Sequence, residues 1–118
     1  MVLGPHRSGT SLLSGILHHL GGDLPKTLMN RSSDNPKGYF ESTRIMEFND
    51  KLLAAIGSDW QDIAPLDASW PGSPIYENFF QDAVTLLRSE FAEARLPLLK
   101  DPRNCRLVQF WSDAFCEV

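Results

Sequence analysis

Cysteine is scarce in this sequence of 118 residues: Cys105 and Cys116 are the two present. They lack the spacing of metal ligands, and no other constellation of metal-binding side chains accompanies them. A disulfide between them would close a short loop, so reduced thiols of an intracellular protein are the expected state. Long apolar runs are missing too, and none approaches the length of a membrane span. No secretory signal pattern precedes the first strand-like residues, which sets the expectation of a cytoplasmic protein. Positive charge is not in excess. Lys and Arg number 11 against 15 Asp and Glu, a net charge of −4, which argues against a general nucleic-acid binder. Internal repeats and low-complexity tracts are absent.

What is present is ordinary for a soluble globular domain: 42% hydrophobic and 22% charged residues. The length suits one domain with a single core. The informative stretch is Gly4-Pro5-His6-Arg7-Ser8-Gly9-Thr10-Ser11. Met1-Val2-Leu3 before it reads as the end of a buried strand, and Ser11 to Leu20 after it as a helix. A glycine turn between a strand and a helix directs successive backbone N–H groups into one concavity. The helix N-terminus adds about half a positive charge there. Arg7 contributes a permanent cation whose planar fork suits phosphate or sulfate oxygens.

Further along, Leu12, Leu13, Ile16, Leu17 and Leu20 share one helical face, and Gly21-Gly22 stops that helix. His18 and His19 read as a solvated cap near its end. A loop rich in Asn, Ser, Asp and Pro runs from Asp23 to Lys37. A second helical pattern covers Ser42 to Ile56, with Ile45, Phe48, Leu52, Leu53 and Ile56 inward. The loop Asp59–Pro74 holds Trp60 and Trp70, both expected to cover the core edge. Ile75 to Ala94 reads as a long amphipathic helix, Pro97 to Lys100 as a short buried strand, and Asn104 to Phe115 as a last helix facing inward through Leu107, Val108, Trp111 and Phe115. Strands alternating with helices predict an α/β fold: a three-layer parallel sheet flanked by helices, with P-loop NTPase-like connectivity. In such sheets ligands bind beyond the carboxyl ends of the strands, so Arg7 and Lys100 are expected to converge if their strands are neighbours.

The spacing of the glycine turn is similar to the Walker A loop, but Thr10 stands where a nucleotide kinase has its lysine. With Arg7 inside the turn, Pro5-His6-Arg7-Ser8-Gly9-Thr10-Ser11-Leu12-Leu13 resembles instead the 5′-phosphosulfate loop of the sulfotransferases that use phosphoadenosine phosphosulfate (PAPS). Lys100-Asp101-Pro102 is similar to the segment of tyrosylprotein, bacterial and carbohydrate sulfotransferases whose lysine contacts the transferred sulfuryl group. Asn35-Pro36-Lys37-Gly38-Tyr39-Phe40-Glu41 resembles the acceptor-side loop of bacterial members. The family's 3′-phosphate site, an Arg and a Ser on and after a later strand, has no counterpart before Val118. The resemblance therefore implies the N-terminal part, residues 1–118, of a larger sulfotransferase-like domain.

It also implies an activity: sulfuryl transfer from PAPS to an acceptor hydroxyl, with no metal. Pro5, His6, Arg7, Ser8, Gly9, Thr10 and Ser11 would hold the donor. Arg7 and Lys100 would stabilise charge on the sulfuryl and phosphate oxygens. Glu41 is the candidate base, with a helix-start carboxylate as the other reading. His6 is a second candidate acid or base. Asp101 is expected to cap the turn before Pro102, or to orient Lys100 or Arg103. The acceptor would be a small molecule or carbohydrate, with peptide tyrosine also open. A P-loop nucleotide kinase and a non-catalytic nucleotide-binding module are the alternative functions.

Overall fold

In the computed structural model, all residues except Arg31, Ser32, Asp34 and Lys37 are described. Four α-helices dominate: α1 (Thr10–His19), α2 (Thr43–Ala55), α3 (Pro74–Glu90) and α4 (Val108–Cys116), with a 3₁₀ turn at Pro102–Cys105. The core is where α2, α3 and α4 meet. Ile45, Leu52 and Leu53 of α2 pack with Ala83, Leu86 and Leu87 of α3 and with Phe110, Trp111 and Ala114 of α4. Helices α2 and α3 start for a local reason. The Ser42 side chain accepts from the Ile45 N–H at 3.1 Å and caps α2, and Ser73 does the same for α3 from Tyr76 at 3.2 Å. Pro74 occupies the first turn of α3, where a missing N–H costs nothing. Gly57, at φ 74°, takes the left-handed position that ends α2.

The three-layer α/β fold is corrected. Among the described residues there is no sheet, only isolated bridges: Val2 with Lys100 and Asp23 with Pro97, both parallel, and Leu28 with Ser42, antiparallel. The extended pieces lie side by side but do not zip. Val2 N–H donates to the Leu99 carbonyl at 2.8 Å, yet two residues on, the Gly4 N–H turns to Cys105 Sγ at 3.1 Å. With its next amide diverted, the ladder ends after one bridge, and P-loop connectivity on a parallel sheet goes with it. The short apolar segment at 97–100 is nonetheless held on both sides, by Val2 on one and Asp23 on the other. The Asp23 carboxylate also accepts the N–H groups of Arg95 at 2.8 Å and Leu96 at 3.0 Å.

Helix α1 stands apart from the other three. Its apolar stripe is largely turned away from the protein. Leu12 is 67% exposed and Leu20 76%, and Leu13 and Ile16 are about half exposed, while Thr10 and Ser14 are the buried residues of this helix. The side turned to the protein is the small and polar one, where a Cβ added at Gly15 would already sit 3.3 Å from the Phe40 ring. Val108, expected inward, is likewise exposed: α4 starts at this residue and buries Phe110, Trp111 and Ala114 instead. Helix α3 ends at Glu90, earlier than its amphipathic pattern, and Phe91 becomes its cap. Cys105 and Cys116 are both free and exposed. No described helix is long and apolar enough to cross a membrane.

The Asp23 clamp yields a pH prediction. Backbone N–H donors, Leu96 first and then Arg95, hold its carboxyl below the usual carboxylate range. A depressed folded pKa adds stability above the unfolded value, and that contribution is lost as pH falls through the folded one. Asp23→Asn should flatten the acid limb of the stability curve below about pH 4, a range set by the ordinary carboxylate pKa. Chemical denaturation of both proteins between acid and neutral pH measures it; parallel curves would remove the assigned role.

Candidate functional site

The glycine turn leaves Val2 and enters α1 in a confined path. Arg7 adopts φ 63° and Gly9 φ 84°, both in the left-handed region. At Gly4 a Cβ would lie 2.6 Å from both Ser8 Oγ and Thr10 Cγ2, so a side chain there would push the turn open. Ser8 Oγ donates to the Pro5 carbonyl at 2.6 Å and ties the turn across its base. The N-cap of α1 is Gly9, so this helix start has no side-chain cap, and its first turn carries no acidic residue. Uncapped first-turn N–H groups beside a cation are an anion-binding arrangement.

Facing the turn is Lys100, 4% exposed at the end of the 97–100 segment. Its ammonium donates to the Tyr39 carbonyl at 3.2 Å and lies 3.5 Å from Ser11 Oγ. It also forms an ion pair with Glu41, itself 6% exposed. Burial raises the Glu41 carboxyl above the ordinary carboxylate range, and the Lys100 ammonium offsets only part of that rise.

Glu41 reaches this position by a chain of anchors. Its carbonyl accepts the Met29 N–H at 2.7 Å, and the Thr43 N–H donates to the Thr27 carbonyl at 2.9 Å. Thr27 is in turn fixed to buried Glu90 of α3, through its N–H at 3.1 Å and its hydroxyl at 2.8 Å. The loop bearing Glu41 is thus referenced to the helical core.

Together these parts form a cleft of about 360 Å³ lined by His6, Arg7, Ser8, Gly9, Thr10, Ser11, Asn35, Tyr39, Glu41, Lys100 and Pro102. Of the residues assigned to donor binding, Pro5 alone stays out of the lining, contributing its carbonyl to the turn. Arg7 and Lys100 line the same cleft although no sheet joins them. Their neighbourhood comes from the single Val2–Lys100 bridge. His6 packs edge-on against half-exposed Trp60, ring centroids 4.9 Å apart. Trp60 therefore stands beside the turn rather than over the core, whereas Trp70 does pack on the core.

Asp101 caps the 3₁₀ turn by accepting the Arg103 N–H at 2.7 Å. Burial would lower the Arg103 guanidinium; Asp101 and Asp50, whose carboxylate takes the Arg103 Nε–H at 2.5 Å, hold it above its ordinary value.

Sequence reasoning missed the Tyr39 carbonyl as a partner of Lys100, since a backbone acceptor has no residue-type signature. It also missed the backbone at Phe40, φ 58°. Among the described residues, Arg7 and Phe40 are the non-glycine residues at positive φ, and they sit on the cleft's lining and beside it. Such backbone costs about 1–3 kcal/mol and clusters at functional sites. Lys37 lies outside the described residues. No group of His, Cys, Asp and Glu among the described residues could hold a metal. No family model, curated protein or solved structure matches this chain.

Proposed function

We propose that this cleft binds the phosphosulfate end of a PAPS-type donor and transfers its sulfuryl group to an acceptor hydroxyl. The observation that carries the reading is the convergence of an uncapped helix N-terminus, Arg7, Lys100 and a buried carboxylate on one small cleft. Sulfuryl transfer needs donors for the leaving phosphate, a cation for charge building on the sulfuryl oxygens, and a base for the acceptor proton. The first-turn amides with Arg7, then Lys100, then Glu41 fill these roles in order. In the transfer, the acceptor oxygen bonds to sulfur as the bond from sulfur to the bridging oxygen breaks. The acceptor proton goes to Glu41, and the bridging electron pair leaves on the phosphate. A carboxyl whose pKa is raised is the stronger base for that step.

Titration with adenosine 3′,5′-bisphosphate in the absence of magnesium, followed by turnover of radiolabelled PAPS with sugars, alcohols and phenols, tests this. Binding of ATP that requires magnesium, with none of the bisphosphate, would overturn it. Arg7→Ala should weaken bisphosphate binding by about 1.5–3 kcal/mol, the loss of a charge-assisted hydrogen bond. Its melting temperature should stay close to the parent's, because the Arg7 side chain is exposed. Unchanged affinity would remove Arg7 from the site.

A further inference from the structure

The Lys100–Glu41 pair carries more than a division of roles. Lys100 is a buried cation lining the cleft, and it is already committed to a carboxylate. Resting on the anion-binding reading above, we propose that anion binding in this cleft is coupled to proton uptake at Glu41. The incoming anion takes the Lys100 ammonium, and Glu41, left buried beside a second negative charge, binds a proton from solvent.

The surroundings leave Glu41 few other ways to balance its charge. Asp101, 1% exposed, shares the Lys100 segment and adds a like charge. Arg103 is near enough to be felt, but it is held by Asp101 and Asp50. Arg44, at the start of α2, is engaged by Glu90. His6 and Arg7 on the glycine turn line the same cleft as Glu41, and no hydrogen bond or ion pair joins either of them to it among the described residues. Tyr39 offers Lys100 its carbonyl, an acceptor that holds the ammonium in place without neutralising Glu41. A buried carboxylate that loses its counter-charge while a like charge arrives favours its neutral form. The exchange is local: the Lys100 ammonium has only to share or switch acceptors, while its stem remains in the 97–100 segment.

The consequence for the reaction is a pair of opposed pH dependences. Donor affinity falls as pH rises, because binding takes up a proton, whereas turnover rises, because the base must be deprotonated to act. The donor thereby strengthens the base that it needs, and does so only once it is in place.

Inorganic sulfate is the probe, because it does not itself titrate between pH 4 and 9. Carbon-detected NMR of the side-chain carboxyls follows Glu41 in the 118-residue chain, with sulfate and with chloride at equal ionic strength. The backbone amides of Ser8 to Ser11 report binding, and the His6 ring is followed separately. The expected result is a Glu41 midpoint that moves upward with sulfate and not with chloride. The sulfate Kd should rise about tenfold per pH unit between the two midpoints, as one linked proton requires. Glu41→Gln, which keeps a hydrogen-bonding side chain for Lys100, should remove that slope and bind sulfate more tightly than the parent at pH 7. Amides that shift while Glu41 stays put, or uptake at His6 instead, overturns the coupling and leaves the anion site standing. Amides that ignore sulfate overturn both.

Discussion

Under the proposed function, Lys100→Ala is expected to lower sulfuryl transfer about 100-fold or more, the scale of removing one electrostatic stabiliser of a transition state. Donor affinity should change little. In the resting protein Lys100 already has an anionic partner in Glu41, so a bound donor replaces one negative neighbour with another and the ground state gains little. Charge that builds on the bridging oxygen during transfer has no counterpart in the resting pair, and there the ammonium acts without compensation.

A second effect accompanies the kinetic one. Removing the lysine strands Glu41 in a buried site, and breaking such a pair from one side costs about 3–5 kcal/mol unless the carboxyl protonates. The variant should therefore regain stability as pH falls, which urea titrations at pH 5 and pH 8 would show. Turnover measured where the variant is fully folded separates the two effects. Loss of donor binding with maximal rate retained would make Lys100 a ground-state anchor, and no change in either would make it a structural lysine.

Helices α2 and α3 were legible because their information is local. Ile45, Leu52, Leu53, Ala83 and Leu87 recur at helical spacing on faces that are in fact buried, whereas the capping roles of Ser42 and Ser73 emerge only in the structure. The sheet was misread because strand pairing is not local. Nothing in Met1-Val2-Leu3 or Pro97-Leu98-Leu99-Lys100 says whether neighbouring extended residues will form a ladder or a single bridge. The Gly4 amide turning to Cys105 decides it, 101 positions away in sequence.

Periodicity left one point open at α1. It located an apolar stripe, but a stripe does not say which side of the helix meets the rest of the protein. Here the contact needed closeness, and Thr10, Ser14 and Gly15 supply it. At the site, Arg7 in a glycine turn and Lys100 after an apolar run were legible by type, while Glu41 was singled out only through the resemblance of its loop. Their mutual arrangement was not, since the Lys100–Glu41 pair and the Tyr39 carbonyl depend on a loop anchored by Glu90 from α3.

The largest loss of stability is expected at Trp111, which is fully buried where α2, α3 and α4 meet. Trp111→Ala should cost about 3–5 kcal/mol, the range for deleting a large buried aromatic. That is a large share of the roughly 5–15 kcal/mol available to a domain. Part of the loss is packing, since the indole lies against Phe48 and Phe110 with centroids 5.5 Å away in each case. The rest is polar. Its Nε1–H donates to Asn49 Oδ1 at 2.9 Å, and Asn49 Nδ2 donates to Asn104 Oδ1 at 2.9 Å. All three side chains are buried, and Asn104 belongs to the 3₁₀ turn that begins two residues after Lys100. Trp111→Phe isolates the polar share, because it keeps most of the apolar volume and leaves Asn49 Oδ1 without its donor. It should cost about 1–3 kcal/mol, the penalty for a buried acceptor left unpaired. Because the Asn49–Asn104 link holds the 3₁₀ turn to α2, the phenylalanine variant should also loosen the segment that carries Lys100. Faster amide exchange at Leu99 to Asn104 than in the parent would register that coupling. Exchange unchanged there, in a protein destabilised as expected, would confine the network to the core and detach it from the site.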